Sequence, residues 1–173
     1  MVFVVDLDDT LVFTKHLNND AYNFALEKSG QKRFSSNKRI TREDLNNTPK
    51  NQIITDKQNY FTQKWLKYRV VVNEEILSIL QNQNRKECYL WTSADKNRAE
   101  YILKELDLYK YFNKVIYDDK KDLNSSLKRL KDITKSNVFL IFEDNEDLIK
   151  NQKIKLIEKI NVNDFRVNKY LLS

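Results

Sequence analysis

The chain has 173 residues (20.8 kDa), of which 40% are hydrophobic and 32% charged, with 31 basic against 25 acidic side chains and a net charge of +6. That is enough chain for one domain with a real core and room for a small appendage, and it is too apolar for disorder. No apolar run approaches the ~20 residues of a membrane span, and a single cysteine, Cys88, excludes a disulfide framework or a thiolate metal cluster.

Further exclusions follow from individual residues. One Gly and one Pro rule out Gly-rich phosphate cradles and leave positive-φ turns to Asn or Asp. The opening Met1-Val-Phe-Val-Val-Asp6 meets an acid at once, so no signal peptide is expected and a soluble, cytoplasmic protein is. The basic surplus would steer anionic partners, but a Lys- and Asn-rich composition produces the same surplus without any partner.

In chain order, Val2 to Val5 is a β-branched and aromatic run that predicts a buried strand. A helix is expected over Asn18 to Ser29, with Leu17, Ala21, Phe24 and Ala25 on one face and Gly30 as its stop. The segment Gln31 to Arg42 is basic through Lys32, Arg33, Lys38, Arg39 and Arg42. A short helix is expected from Thr41, a turn around Pro49, and a helix over Asp56 to Arg69 carrying Tyr60, Phe61, Trp65 and Tyr68.

Asn73 is placed to cap a helix over Glu74 to Gln83 that buries Ile76, Leu77, Ile79 and Leu80. A strand over Glu87 to Trp91 ends in Thr92-Ser93, with Ser93 as N-cap of a helix through Leu106. Lys114 to Tyr117 predicts a strand, Leu123 to Ile133 a helix, Val138 to Phe142 an apolar strand ending in Glu143-Asp144, and Ile154 to Ile160 a last strand. Strands alternating with helices argue for a mainly parallel sheet covered on both faces. The stretch from about Lys15 to Arg69 is helical only and is expected as an insertion after the first strand.

Ligands of open parallel sheets bind at the carboxyl ends of the strands. Three such ends are polar here: Asp6-Leu7-Asp8-Asp9-Thr10, Thr92-Ser93 and Glu143-Asp144. Strand alternation puts Asp6 and Asp8 on one side. If Asp144 and Glu143 converge on them, unit charges ~4 Å apart repel by about 4 kcal/mol at an effective dielectric near 20. A divalent cation removes that cost, and an all-oxygen site with few ligands suits Mg²⁺.

The run Val2 to Leu11, a hydrophobic strand followed by Asp-x-Asp-x-Thr, resembles the first motif of the haloacid-dehalogenase-like hydrolase superfamily. Tyr89-Leu-Trp-Thr-Ser93 resembles the second motif and Leu140-Ile-Phe-Glu-Asp-Asn145 the fourth. Lys120 or Lys121 falls at the third-motif lysine. Lys121 is preferred, because Lys121-Asp-Leu123 resembles the third motif of some carboxy-terminal-domain phosphatases and Asp122 can cap the next helix. The stretch Thr14 to Leu26 resembles the first cap helix of the small-cap, β-phosphoglucomutase-like subgroup. The four motifs occur in order from Met1 to about Leu148.

The resemblance implies an α/β fold: a Rossmann-like three-layer sandwich with a mainly parallel sheet, residues 1–14 and 70–173, plus a small helical cap, residues 15–69. It implies Asp6 as nucleophile forming an aspartyl-phosphate and Asp8 as general acid and base. It implies Thr92, Ser93 and Lys121 as phosphate ligands, and Asp6, Asp8, Glu143 and Asp144 as Mg²⁺ ligands. An acid at Asp8 further implies phosphoryl chemistry on an oxygen ester. The expected activity is a Mg²⁺-dependent phosphatase for a small phosphorylated metabolite such as a sugar phosphate or nucleotide. The alternatives are a phosphomutase, a nucleic-acid end phosphatase or a non-catalytic binding protein of the same fold. A nucleic-acid partner is not favoured, no membrane is expected, and the chain is expected as a monomer or homodimer.

Overall fold

The computed structural model describes residues 1–35, 38–45, 50–68 and 70–145, and the backbone of 157–161. The turn expected at Pro49, the residue Arg69 and the strand start expected at Ile154 lie outside these residues; the helix expected over Asp56 to Arg69 is an α-helix over Lys50–Lys64 followed by a 3-10 turn over Trp65–Tyr68. The chain divides into two compact units, Met1–Leu11 with Val72–Ser173 and Val12–Val71. The sequence expectation sets the division at 14/15 and 69/70.

The first unit is built on a five-stranded sheet. Its strands are β1 (Val2–Val5), β4 (Cys88–Thr92), β5 (Lys114–Tyr117), β6 (Phe139–Glu143) and β7 (Ile157–Asn161), in the order β5-β4-β1-β6-β7. All four pairings are parallel. Parallel neighbours require crossover connections. Helices α3 (Glu74–Gln81), α4 (Lys96–Glu105) and α5 (Leu123–Thr134) lie between the strands in sequence. Every residue of β1, β4 and β6 is buried, so both faces of the sheet are covered.

Alternation divides those faces. Val2, Val4, Tyr89, Trp91, Ile116, Phe139 and Ile141 point to one side, where Leu127 and Leu130 of α5 pack with Leu123 and Ile133. The helix α4 buries Ala99, Ile102 and Leu103, and α3 buries Ile76 and Leu80. Asn73 caps α3 as expected, its side chain accepting from Glu75 and Ile76 N–H. Ser93 does not cap α4. Asp95 does, accepting from the Arg98 N–H, because β4 runs on to Thr92 and the helix starts only at Lys96.

The second unit holds α1 (Lys15–Lys28) and α2 (Lys50–Lys64), with two short paired strands, β2 (Val12–Phe13) and β3 (Val71–Val72), near its ends. Its core is Tyr22, Ala25, Leu26, Ile40, Leu45 and Ile53. Leu17, Ala21 and Ala25 of α1 are buried as expected, but Phe24 is exposed and stacks on Tyr60 at 4.5 Å. Gly30 does follow the helix end with φ +75. No helix forms at Thr41. Its N–H and hydroxyl both donate to the Asp44 carboxylate, which closes a local turn. Among the described residues no helix is long and apolar enough to cross a membrane.

Cys88 is buried on β4, and that burial, with the Glu87 charge beside it, pushes its thiol up to about 11. The reactive thiolate is the minor form at every pH below that value. At about pH 8 it amounts to roughly one part in a thousand. Native protein is therefore expected to resist iodoacetamide under those conditions and to be alkylated at Cys88 once unfolded in guanidinium. Mass spectrometry of the two samples checks this.

Candidate active site

The site begins where β1 runs out. The last residue paired on β1, Val5, lies opposite Leu90 of β4 and Phe142 of β6. Asp6 and Glu143 are each one residue further, and Thr92 two residues beyond Leu90. Asp6 still donates its N–H to the Phe142 carbonyl at 3.0 Å, so its side chain is launched from strand geometry.

The chain then turns sharply. Asp9 adopts φ 62, the left-handed conformation that Asp tolerates and most residues do not. Leu11 N–H closes the turn on the Leu7 carbonyl at 3.1 Å, and both leucines are fully buried. Asn73 fastens the far side of the turn: its side-chain amide donates to the Thr10 carbonyl at 3.0 Å and its N–H to the Leu11 carbonyl at 2.8 Å. Thr10 in turn donates to the Asp144 carboxylate at 3.3 Å. Two strand ends far apart in sequence are thereby tied together.

Three carboxylates meet here, with one oxygen each of Asp6, Glu143 and Asp144 all within 4.8 Å of one another. Lys120 is inserted among them. Its ammonium donates to Asp6 at 2.6 Å and to Glu143 at 2.7 Å, with 6% of its side chain exposed. It also lies 4.7 Å from the centre of the Trp91 ring, whose negative face attracts it. Glu143 uses its second oxygen to accept the Asp144 and Asn145 N–H groups at 3.2 Å each.

These contacts shape the ionisation. Burial raises the Asp6 carboxyl to about 7; Lys120 opposes the rise, while Glu143 and Asp8 add to it. Burial likewise raises Glu143, again against Lys120. For Lys120 burial acts downward, but Asp6 and Glu143 outweigh it and the ammonium is held above its ordinary value.

The lysine that reaches the acids is thus Lys120, and the preference for Lys121 is corrected: Lys121 is exposed. The reason is local. Lys120 has φ 57, and its N–H donates to the Asp118 carboxylate at 3.2 Å. Asp118 is buried and its same oxygen accepts from the Ser126 hydroxyl at 3.0 Å. This side-chain turn reverses the chain at Lys120. Asp122 does cap α5 as expected, accepting from the Asn124 N–H.

Thr92 is buried, and its hydroxyl accepts from the Ala94 N–H at 3.1 Å, which keeps the O–H as a donor. Ser93 is exposed one residue beyond the strand. The Asp8 carboxylate is met from α4, where Arg98 donates through both terminal nitrogens, at 3.0 Å to one oxygen and through a second, shorter contact to the other. Sequence reasoning did not single out Arg98, Asp118 or Trp91. One signal for Arg98 was present: it lies four residues before Ile102, on the stripe of α4 that turns inward.

The three clustered carboxylates outnumber the ammonium among the described residues on a small all-oxygen surface, and a cation bound there would favour their ionised forms against the burial that raises Asp6 and Glu143. That donor set fits a hard divalent cation of the Mg²⁺ type. Asp6, Glu143 and Asp144 would offer side-chain oxygens to it.

A sequence profile of the NLI interacting factor-like phosphatase family matches residues 1–165. Among proteins of curated function none matches by sequence. Several solved structures share the fold. A haloacid dehalogenase-like hydrolase of family IA, variant 3, from Entamoeba histolytica superposes with a TM-score of 0.73 at 14% identity, covering 97% of this chain and 86% of that one. A candidate phosphoglycolate phosphatase from Lactobacillus plantarum gives 0.69 at 14% identity, covering 91% and 84%. A candidate β-phosphoglucomutase from Thermotoga maritima gives 0.58 at 21% identity, covering 91% and 84%.

The placement of the lysine generates a test independent of activity. Lys120→Met strands two buried carboxylates and is expected to lower the stability of metal-free protein by about 3 kcal/mol or more. Lys121→Met changes an exposed side chain and is expected to stay within about 0.5 kcal/mol of the parent. Denaturant melts of the two variants give the comparison. Equal effects would show that Lys120 does not hold the acids.

Proposed function

The chain belongs to the NLI interacting factor-like phosphatase family, with the haloacid-dehalogenase-like hydrolase fold, and on that premise we propose that it is a Mg²⁺-dependent phosphomonoesterase working through an aspartyl-phosphate at Asp6. The observation that carries this reading is the grouping of Asp6, Glu143 and Asp144 around the Lys120 ammonium at the strand ends.

In the proposed reaction an oxygen of Asp6 attacks phosphorus as the bond to the ester oxygen breaks. Asp8 gives its proton to the departing oxygen. Water then attacks the phosphorus of the acyl phosphate, passes its proton to Asp8 and returns Asp6 as a carboxylate. Lys120, with the Thr92 hydroxyl and the Ser93 N–H, would hold the phosphoryl oxygens and offset charge spreading over them. Mg²⁺ bound by the acids and the Asp8 carbonyl would supply neutralisation of the approaching anions.

Lys120 suits its role in both states. Without substrate its ammonium is held by Asp6 and Glu143. As Asp6 commits its lone pair to phosphorus, that ammonium is already beside the incoming oxygens and needs no long reorganisation. For the substrate, we favour a small phosphorylated metabolite such as a sugar phosphate or a nucleotide. Two of the fold neighbours are named for phosphoglycolate and phosphoglucose chemistry, which supports that class over a polymer end.

Two manipulations test the mechanism on para-nitrophenyl phosphate. Asp6→Asn removes the nucleophile and is expected to abolish phosphate release. Chelation of divalent cations is expected to do the same, with recovery on adding Mg²⁺. Full activity in chelated protein would overturn the metal assignment, and activity in Asp6→Asn would overturn the covalent one. A screen of phosphorylated metabolites with free phosphate as readout then identifies the substrate, and an isomerised ester in place of phosphate would mark a mutase.

A further inference from the structure

We propose that Arg98 is the positioning residue for the acid–base carboxylate, holding Asp8 from outside the turn on which it sits. The inference rests on the phosphatase reading above and assigns a part of the machinery that the four sequence motifs do not contain. Asp6 and Asp8 are held in different ways. Asp6 extends a strand and keeps a ladder hydrogen bond to Phe142. Asp8 precedes Asp9, whose φ of 62 takes the chain out of extended geometry. A side chain on such a turn gains nothing from a sheet register, and its direction must be fixed by what it touches.

Arg98 supplies that contact. Its two terminal nitrogens donate to the two oxygens of Asp8, one to each. A fork of this kind fixes the plane of the carboxylate as well as its position, which a single ammonium cannot do. The pair is shielded, with 6% of the Arg98 side chain and 12% of that of Asp8 exposed. Burying a guanidinium is costly unless it is paired. Its place on the inward stripe of an otherwise apolar helix face therefore calls for a reason.

The platform behind Arg98 is rigid. It stands in the first turn of α4, where its N–H donates to the capping Asp95 carboxylate. The residues that follow on the inner stripe, Ala99, Ile102 and Leu103, are fully buried. Thus the helix cap, the buried stripe and the guanidinium form one chain of fixed contacts ending on Asp8. The division of labour is symmetrical: Lys120 serves the nucleophile and Arg98 serves the proton carrier. Both oxygens of Asp8 accept from Arg98 here, so the fork holds it as a carboxylate; to take up the proton it delivers, one oxygen must leave the fork, while the other keeps its bond to Arg98 and the acid moves about that pivot.

The test uses the dependence of kcat/KM on the leaving group, because kcat/KM reports only the steps through phosphoryl transfer to Asp6. Para-nitrophenolate departs without help, whereas the alkoxide of glycerol phosphate needs a proton. Arg98→Met is expected to lower kcat/KM for glycerol phosphate by ~10²-fold and the glycerol-to-aryl ratio by ~10-fold or more. Arg98→Lys, which restores one contact, is expected to recover part of that ratio. Asp8→Asn is expected to show the same loss of ratio, with little added in the double variant.

Equal losses on both substrates would overturn the proposal by reducing Arg98 to packing. A rise on glycerol phosphate would overturn it by making Arg98 a restraint. If melting curves show that Arg98→Met does not fold, Arg98→Lys decides: a ratio equal to the parent's rejects the proposal and a lowered ratio supports it. Failure of the underlying phosphatase reading would be seen separately, as an inactive parent or as activity surviving Asp6→Asn.

Discussion

The structure turns on one ammonium group placed between two buried carboxylates. Without Lys120, the close of β1 and the close of β6 would bring Asp6 and Glu143 together with Asp144 beside them, each charge raising the cost of the others. The parallel sheet makes that convergence unavoidable. Val5 and Phe142 are paired, so the residues that follow them must lie side by side. The lysine makes the convergence tolerable, and the Trp91 ring gives it a favourable surface to lie on. The acids still outnumber the ammonium, and their oxygens form the donor set that a hard cation would fit.

The delivery of Lys120 shows how much of a site is built by residues that do no chemistry. A left-handed backbone at a lysine is unusual. Here it is held by the buried Asp118, which also takes the Ser126 hydroxyl at the start of α5. The N–H of Asp118 itself donates to the Thr92 carbonyl, continuing the pairing of β4 with β5. The loop is thus an extension of the sheet edge, and the position of the ammonium follows from sheet register through a short series of hydrogen bonds.

Much of this was legible in the residues. The strands of β1 and β5 carry their apolar runs between polar boundaries, and both have the expected limits, Val2–Val5 and Lys114–Tyr117. The acids after β1 and β6 stood out because charge directly after a buried run is costly without a purpose. The left-handed turns at Asp9 and Asp107 fit the expectation that such turns fall to Asn or Asp in a chain with one glycine, while Lys120 and Lys135 depart from it. Other features depended on competition that sequence does not display. Choosing between Lys120 and Lys121 required knowing which of two adjacent residues takes the left-handed conformation. Ser93 and Asp95 are both good caps, and the length of β4 decided between them. At Thr41 the structure shows a turn closed by the Asp44 carboxylate where the sequence pattern also suits a helix start. Arg98 was hidden by habit: a charged residue near a helix start is taken to be solvated, although its spacing from Ile102 placed it inward.

The asparagine at position 73 joins two roles that are usually separate. Its carbonyl oxygen starts α3, while its amide and backbone N–H clasp the Thr10 and Leu11 carbonyls, where the chain leaves the sheet unit. Departure and return are therefore fastened at a single residue, with β2 and β3 paired just outside it. A segment whose two ends meet in this way can be lengthened, shortened or exchanged without altering the scaffold that interrupts itself to carry it. Evolution, or an engineer, is free to graft a different insert onto this clasp while the sheet and the residues at its strand ends keep their places.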